Sequence, residues 1–321
     1  MNVSKNLYLN FSSIPNLTKK ARLRKSLKNL SLNKLIKFSL NKKFIGVEFP
    51  YFRFFDSPRA VANLIKYLNE NNQKYILDCE KKISKVELRK LIFISKKLNT
   101  NFIRLKCSNI LSCERYKYKK NWSIKINSII KKINQIKPLL KKHKIKLAIE
   151  NHQDLDSNDL IKIIKSVGKN YVGVNFDIGN AYATCEIPVD FLSKTKKYIL
   201  NIHLKDYIIL PNKIGYELHR CPIMDGNSNI IEILKLVKKF KLNVPISLEL
   251  GAKKVRKINV KSKNFFKYFI TDKKNKLRNV NYIMNVANQN KVKINTLEKL
   301  ISFNEINMLD RSLKNLKDLK L

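Results

Sequence analysis

Glycine is scarce in this chain, at seven of 321 residues. A phosphate-cradling GxGxxG loop has little material, and none follows any candidate strand. That tells against a doubly wound dinucleotide-binding sheet. Cysteine is equally unhelpful to a staple or a zinc site. Cys79, Cys107, Cys113, Cys185 and Cys221 are odd in number, scattered and without a CxxC pair, so reduced thiols in strands and core are expected instead. No apolar run approaches the roughly 20 residues that span a bilayer. The opening MNVSKNLYLNFSSIPNLTKK also lacks the apolar centre of a secretory signal. The expectation is a cytoplasmic protein with no membrane partner.

Negative charge is the other shortage. Asp and Glu number 24 against 67 Lys and Arg, a net charge of +43. Such an excess suits a nucleic-acid partner, because phosphate contacts dominate that affinity. Yet arginine, whose planar fork reads phosphates and bases, supplies only 11 of the 67. The remainder is lysine in a chain rich in Asn and Ile, three residue types with A/T-rich codons. The charge therefore reads as compositional, with a weak pull toward anionic substrates.

What the chain does have is alternation. Hydrophobic residues make up 44%, enough for a sizeable core. Eight strand-length apolar runs occur: NLYLNFSSI, KFIGVEFP, KYILDCE, TNFIRLKCS, IKLAIENH, YVGVNFDIGN, YILNIHLKDY and VPISLELGA. Helix-period segments lie between them, with start signals such as Ser57 before Pro58 and Ser157 ahead of Asp159. Alternating units imply an α/β fold with a parallel sheet, and eight of them suit a (β/α)8 TIM barrel. Residues 1–275 are assigned to the barrel, with SKNFFKYFITDKK as its closing helix. Residues 276–321 form a basic C-terminal helical extension that could pack on the barrel, serve self-association as a homo-oligomer, or remain a solvated tail.

In such a barrel, chemistry sits at the C-terminal ends of the strands. The run IKLAIENHQDLDS stops being apolar at Glu150, Asn151 and His152. The second run ends at Glu48, the sixth offers Asp177 and Asn180, the seventh His203, Lys205 and Asp206, and the eighth Glu249. Glu150, Asp177, His203 and Glu249 thus fall on four successive strand ends. The first two spacings, 27 and 26 residues, match one βα unit each, and the last, 46, is lengthened by a loop over residues 207–226. Adjacent strands lie about 4.8 Å apart, so these side chains can converge on one ion. Three carboxylates brought together without a cation would suffer strong upward pKa shifts. Any one of these residues alone is ordinary, since a strand-end glutamate is usually solvated and His143, in KKHK, reads as a helix-end polar residue. Four in register point to one divalent ion. The hard, oxygen-rich donor set favours Mn²⁺ or Mg²⁺, with Co²⁺ or Zn²⁺ also able to bind.

The segments GVEFP, AIENHQDLDS, NFDIGNAYA, IHLKDY and LELG resemble the xylose isomerase-like TIM-barrel superfamily, the sugar isomerase and epimerase group, over about residues 7–274. The resemblance implies metal ligands at Glu150, Asp177, His203 and Glu249. It implies Glu150 and Glu249 as catalytic base and acid beside the carbonyl of a sugar or polyol-ketone, by way of an enediolate. Substrate contacts would come from Glu48, His152, Asn180, Lys205 and Arg220, although His152 could instead cap the following helix. Dehydration, as in inosose dehydratases, is the alternative reaction. Two positions depart from the family pattern: Asn180 stands where many epimerases carry histidine, and Met224 replaces the first glycine of a Pro-Leu-Gly-x-Gly turn. Endonuclease IV shares the superfamily, but its histidine-rich trinuclear zinc centre cannot be built from four histidines, none before His143. A nucleic-acid substrate is therefore not expected. A barrel that only binds a sugar would have no need of two carboxylates flanking one ion.

Overall fold

The computed structural model describes residues 6–14, 30–50, 57–79, 84–118, 120–251, 254–269, 273–291, 298–299 and 302–319. Eight parallel strands close into a barrel: β1 (Leu7–Asn10), β2 (Gly46–Pro50), β3 (Lys74–Cys79), β4 (Phe102–Leu105), β5 (Lys146–Glu150), β6 (Val172–Asp177), β7 (Ile199–Leu204) and β10 (Ile246–Leu248). All eight coincide with the apolar runs. Parallel strands are covered on both faces, so their sequences are almost continuously apolar; β2, β4 and β6 are buried at every position. Closure joins β1 to β10, with Leu7 opposite Ile246.

Between the strands run α1 (Leu30–Asn41), α2 (Pro58–Glu70), α3 (Lys85–Lys97), α4 (Trp122–Asn134), α5 (Lys137–His143), α6 (Ser157–Val167), α7 (Pro188–Thr195) and α8 (Ile230–Lys239). Their starts follow capping chemistry. Ser57, Ser84 and Asn121 each accept a backbone N–H of the first turn. The α6 cap is Asp156 rather than Ser157, in a reciprocal box with Asp159. Pro138 divides the helical pattern of residues 122–143 into α4 and α5, taking an early position where its missing N–H costs nothing. The helical pattern beginning at Leu17 lies partly outside the described residues.

Two expectations need correction. The stretch expected as a loop over residues 207–226 contains a β-hairpin, β8 (Tyr207–Asn212) and β9 (Gly215–Arg220), extended by β11 (Arg256–Ile258) into a three-stranded antiparallel sheet. Alternating apolar side chains, with Asn212 and Gly215 at the turn, make this a hairpin. The closing helix expected over residues 262–274 is, over residues 262–269, only a 3₁₀ turn at Phe266–Tyr268, and its last two residues, Lys273 and Lys274, open the helix that follows. Phe265 and Phe269 are buried instead in a cluster with Tyr207, Tyr216 and Ile258. Helix α9 (Lys273–Lys291) packs on β8, burying Val280, Ile283 and Ala287. Helix α10 (Glu305–Lys317) adds Met308, Leu309 and Leu316 to the main core. The five cysteines are free thiols and all are buried.

Candidate metal centre

Strands β5, β6, β7 and β10 are neighbours in the barrel, and their C-terminal ends carry Glu150, Asp177, His203 and Glu249. One donor atom from each lies within 4.8 Å of the other three, and all four residues are buried. Register explains part of this: Asp177 stands directly opposite His203, and Ser247 does so on the other side.

Each ligand-type side chain is held from behind. Glu150 takes Arg104 on one oxygen and Asn180 Nδ2, at 3.2 Å, on the other. Asn180 Nδ2 also donates to Asp177 Oδ2 at 2.7 Å. Asn151 locks the adjacent strand ends, its amide bonding both the N–H and the carbonyl of Asp177 at 2.7 and 2.8 Å. Lys205 Nζ bridges Asp177 Oδ2 at 2.5 Å and Glu249 Oε1 at 2.8 Å. His203 Nε2 lies 2.6 Å from Glu48 Oε1, while Nδ1 lies 2.7 Å from Glu249 Oε2 and 3.9 Å from Asp177 Oδ2.

The electrostatics show crowded negative charge answered by buried cations. Burial pushes Asp177 upward, Lys205 opposes it, and the carboxylates of Glu249 and Glu150 push it up again. Burial would also raise Glu249 and Glu150, but Lys205 and His203 draw the first below the ordinary carboxylate range, as Arg104 does the second. For His203, burial alone would lower the pKa, and Glu48 and Glu249 outweigh it. His152 goes the other way: burial holds it down to about 3, so the ring is neutral.

The residues fit a divalent ion. His203 Nδ1 and Glu249 Oε2 face each other at 2.7 Å. Without a metal, the proton favoured by the raised pKa of His203 occupies that gap; a divalent cation displacing it would meet a ring-nitrogen lone pair and a carboxylate oxygen. Three carboxylates and one imidazole form the hard donor set such an ion takes.

The remaining anticipated residues are placed differently from one another. Glu48 is buried, and its oxygens are engaged by His203, Ser247 and Asn201. Asn180 and Lys205 sit among the ligands. His152 is half-buried, its buried Nδ1 has no hydrogen-bond partner among the described residues, and it does not cap α6, since Asp156 does. Arg220 ends β9 and donates to the carbonyl of Gly251 at 3.3 Å, two residues past Glu249. His143 packs edge-on against Phe93, away from the site.

Sequence reading missed Arg104 and Asn151. Arg104 left a signal, a lone cation between Ile103 and Leu105 in an apolar strand, where burial demands a partner. Met224, in the departing turn, has a left-handed backbone, and Asp206 accepts from the N–H groups of Met224, Gly226 and Ser228 at 3.0 Å each. The loop is thus built around a buried carboxylate.

Known proteins share this plan. An uncharacterized protein of Methanocaldococcus jannaschii is 27% identical over 162 residues, 46% of this chain and 52% of that protein. The chain thus spans about half the length of that relative, and a matched stretch covers 33% of a 3-oxo-isoapionate decarboxylase from Pectobacterium atrosepticum. Among solved structures, D-psicose 3-epimerase from Clostridium cellulolyticum H10, with D-tagatose, superposes with a TM-score of 0.58 at 11% identity, over 88% of this chain and 98% of the other. The probable 3-DHS dehydratase AsbF of Bacillus anthracis gives 0.56 at 16% identity over 77% and 93%. A xylose isomerase-like TIM barrel protein of Mycobacterium smegmatis, in complex with magnesium, gives 0.57 at 16% over 81% and 89%. These likenesses are of fold. The model of the xylose isomerase-like TIM barrel matches residues 80–267, more than half of the chain, and on that match the chain belongs to the xylose isomerase-like TIM barrel family.

Proposed function

We propose that the protein is a metal-dependent isomerase or epimerase of a sugar or related polyol-ketone, working by proton transfer beside a carbonyl. The observation that carries this reading is the convergence of Glu150, Asp177, His203 and Glu249 at one buried point. A bound divalent cation, Mn²⁺ or Mg²⁺ by its donor set, would supply Lewis-acid polarisation of the substrate carbonyl.

The chain's own residues would do the rest. Glu150 and Glu249 stand on the two outer strands of the ligand row, so they reach opposite faces of a substrate held between them. Arg104 and Lys205 favour the ionised form of each, so either could accept the proton next to the carbonyl. For epimerisation the other glutamate would first take up a proton from solvent and then, as the carboxylic acid, deliver it to the opposite face; return of the abstracted proton to the neighbouring carbon would give isomerisation. Neutral His152 and Arg220 offer polar contacts to substrate oxygens. A second reading, dehydration, needs the same first proton removal and then a donor to the departing hydroxyl. Lys205 Nζ, 2.8 Å from Glu249, would be the donor in that step. Five buried free thiols suit the reducing cytoplasm proposed for this protein.

The test is metal content by elemental analysis for wild type, Glu150→Gln and Glu249→Gln after chelation and Mn²⁺ reloading. Wild type should retain about one ion per chain, as four donors around one point imply, with weaker retention in both variants. Ketoses and inososes are then screened for exchange of the α-proton with solvent deuterium. Absence of a bound ion in wild type would sink both readings. Three zinc ions per chain would point to a nuclease instead.

A further inference from the structure

The family match ends at residue 267, and α9 begins beyond it, at Lys273. Its polar bonds nonetheless run toward the metal centre. Lys276, 1% exposed, sends Nζ to the carbonyl of Thr184 at 2.8 Å and to Asp156 Oδ2 at 3.2 Å. Asn279 Nδ2 donates to the carbonyl of Cys185 at 3.0 Å. Asn290 Nδ2 donates to the carbonyl of Ile209 at 2.9 Å and to Asn227 Oδ1 at 2.8 Å. Apart from Asn227, in the loop after β9, these acceptors lie in three different segments, each following a strand that carries one of the four ligand-type residues at its end. Asp156 is six residues past Glu150, Thr184 seven past Asp177 and Ile209 six past His203.

The clamped segments carry the side chains that orient the ligands. Asn151 fixes the strand ends bearing Glu150 and Asp177. Asn180, in the turn that ends at Thr184, bonds both of those carboxylates, and Gln153 Nε2 donates to its carbonyl oxygen at 3.3 Å. The charge at the contact is also shared. Asp156 faces Lys276 and, at 3.7 Å, Arg115, whose guanidinium pairs with Asp159 at 2.7 Å and lies over the Trp122 and Phe269 rings.

We propose that α9 is a brace that sets the affinity of the four-ligand centre for its ion, with Lys276 as the principal positioning residue. The brace rests on the metal-site reading above but not on the reaction assigned to it. Helix and site communicate through the backbone of residues 151–156 and 178–186, whose displacement would move Glu150 and Asp177 apart.

The test is titration of the full-length protein with Mn²⁺, following free ion by electron paramagnetic resonance, together with the melting temperature without metal. Lys276→Met should weaken Mn²⁺ binding by about 10-fold, the scale of a lost outer contact at a metal site. Lys276→Arg, which keeps the charge, should stay within about 3-fold of wild type on the same scale. Leu64→Ala, buried in α2 across the barrel, should lower the melting temperature yet leave the affinity of the folded molecules unchanged. If Lys276→Met does not fold, Asn279→Ala and Asn290→Ala each remove hydrogen bonding by one amide without stranding a charge, and each should weaken Mn²⁺ binding measurably. Affinities equal to wild type in every variant that folds would overturn the brace and leave the metal site standing. A wild type that binds no Mn²⁺ would overturn both.

Discussion

Glu48 illustrates how a buried carboxylate acts through another residue. Burial would raise its pKa, but His203, with Arg104 and Ser247, holds it at about 2. Its charge and its bond to Nε2 fix the ring so that Nδ1 faces the carboxylates. Glu48→Ala is therefore expected to cost about 10- to 100-fold in Mn²⁺ affinity, the range for such outer partners. Glu48→Gln, which can still accept from Nε2, should cost less; equal losses in a calorimetric titration would contradict this role. Asp154 is the opposite case. Burial raises it to about 7 despite Ser108 and Arg115, so between about pH 4 and 7 the folded chain holds a proton that the unfolded chain has released. Stability from this group is thus fullest below the unfolded value and declines as pH rises through 7. Urea melts at pH 5 and pH 8 should show a smaller decline in Asp154→Asn than in wild type, the difference amounting to at most a few kcal/mol. The convergence of Glu150, Asp177, His203 and Glu249 was legible in the sequence because strand ends in a barrel are where polar residues interrupt apolar runs. The role of Glu48 was not, since its sequence position says nothing of which oxygen meets which nitrogen.

At the scale of elements, the loop after β9 depends on one close approach. A Cβ at Gly226 would lie 2.3 Å from Asp206 Oδ1, the carboxylate that organises the loop. Gly226→Ala should detach residues 222–228, costing about 1–3 kcal/mol as a strained or unsatisfied buried group does. Limited proteolysis would reveal it as new cleavage near Met224. The barrel strands could be read from sequence because burial on both faces makes them apolar throughout. The β8–β9 hairpin was harder, because Lys213 and Ile214 at its tip do not spell the Asn-Gly pair that marks such turns most clearly. The closing helix was misread for a different reason. Phe265 and Phe269 have helical spacing, yet they turn inward onto a tertiary cluster, and Phe269 lies 4.3 Å from the guanidinium of Arg115 and 4.4 Å from Lys276 Nζ. Lys276 itself looks like any of the chain's lysines until the acids it faces are seen.

For the whole molecule, a charge of +43 means self-repulsion. Added salt screens these interactions over a Debye length of about 10 Å at 0.1 M. The melting temperature should therefore rise between low and moderate NaCl, and an unchanged or falling value would show that local ion pairs outweigh the global field. Chelation should act separately. If one ion binds only the folded state, Mn²⁺ at a hundred times its dissociation constant adds about 2.7 kcal/mol over the metal-free protein, measurable by calorimetric melts with and without chelator.

Barrel closure also has a consequence for the order of events during synthesis. Tyr8 and Leu9 pair on one side with Gly46 and Val47 of β2, whose residues leave the ribosome soon afterwards, but on the other with Ser247 and Leu248. At about 5–20 residues per second, the far edge of the first strand waits some tens of seconds for its partner. Throughout that interval the nascent chain carries two open sheet edges, one stationary at β1 and one advancing with each new βα unit. A cell making this protein must shield the stationary edge, and slow codons placed before residue 246 would lengthen the exposure.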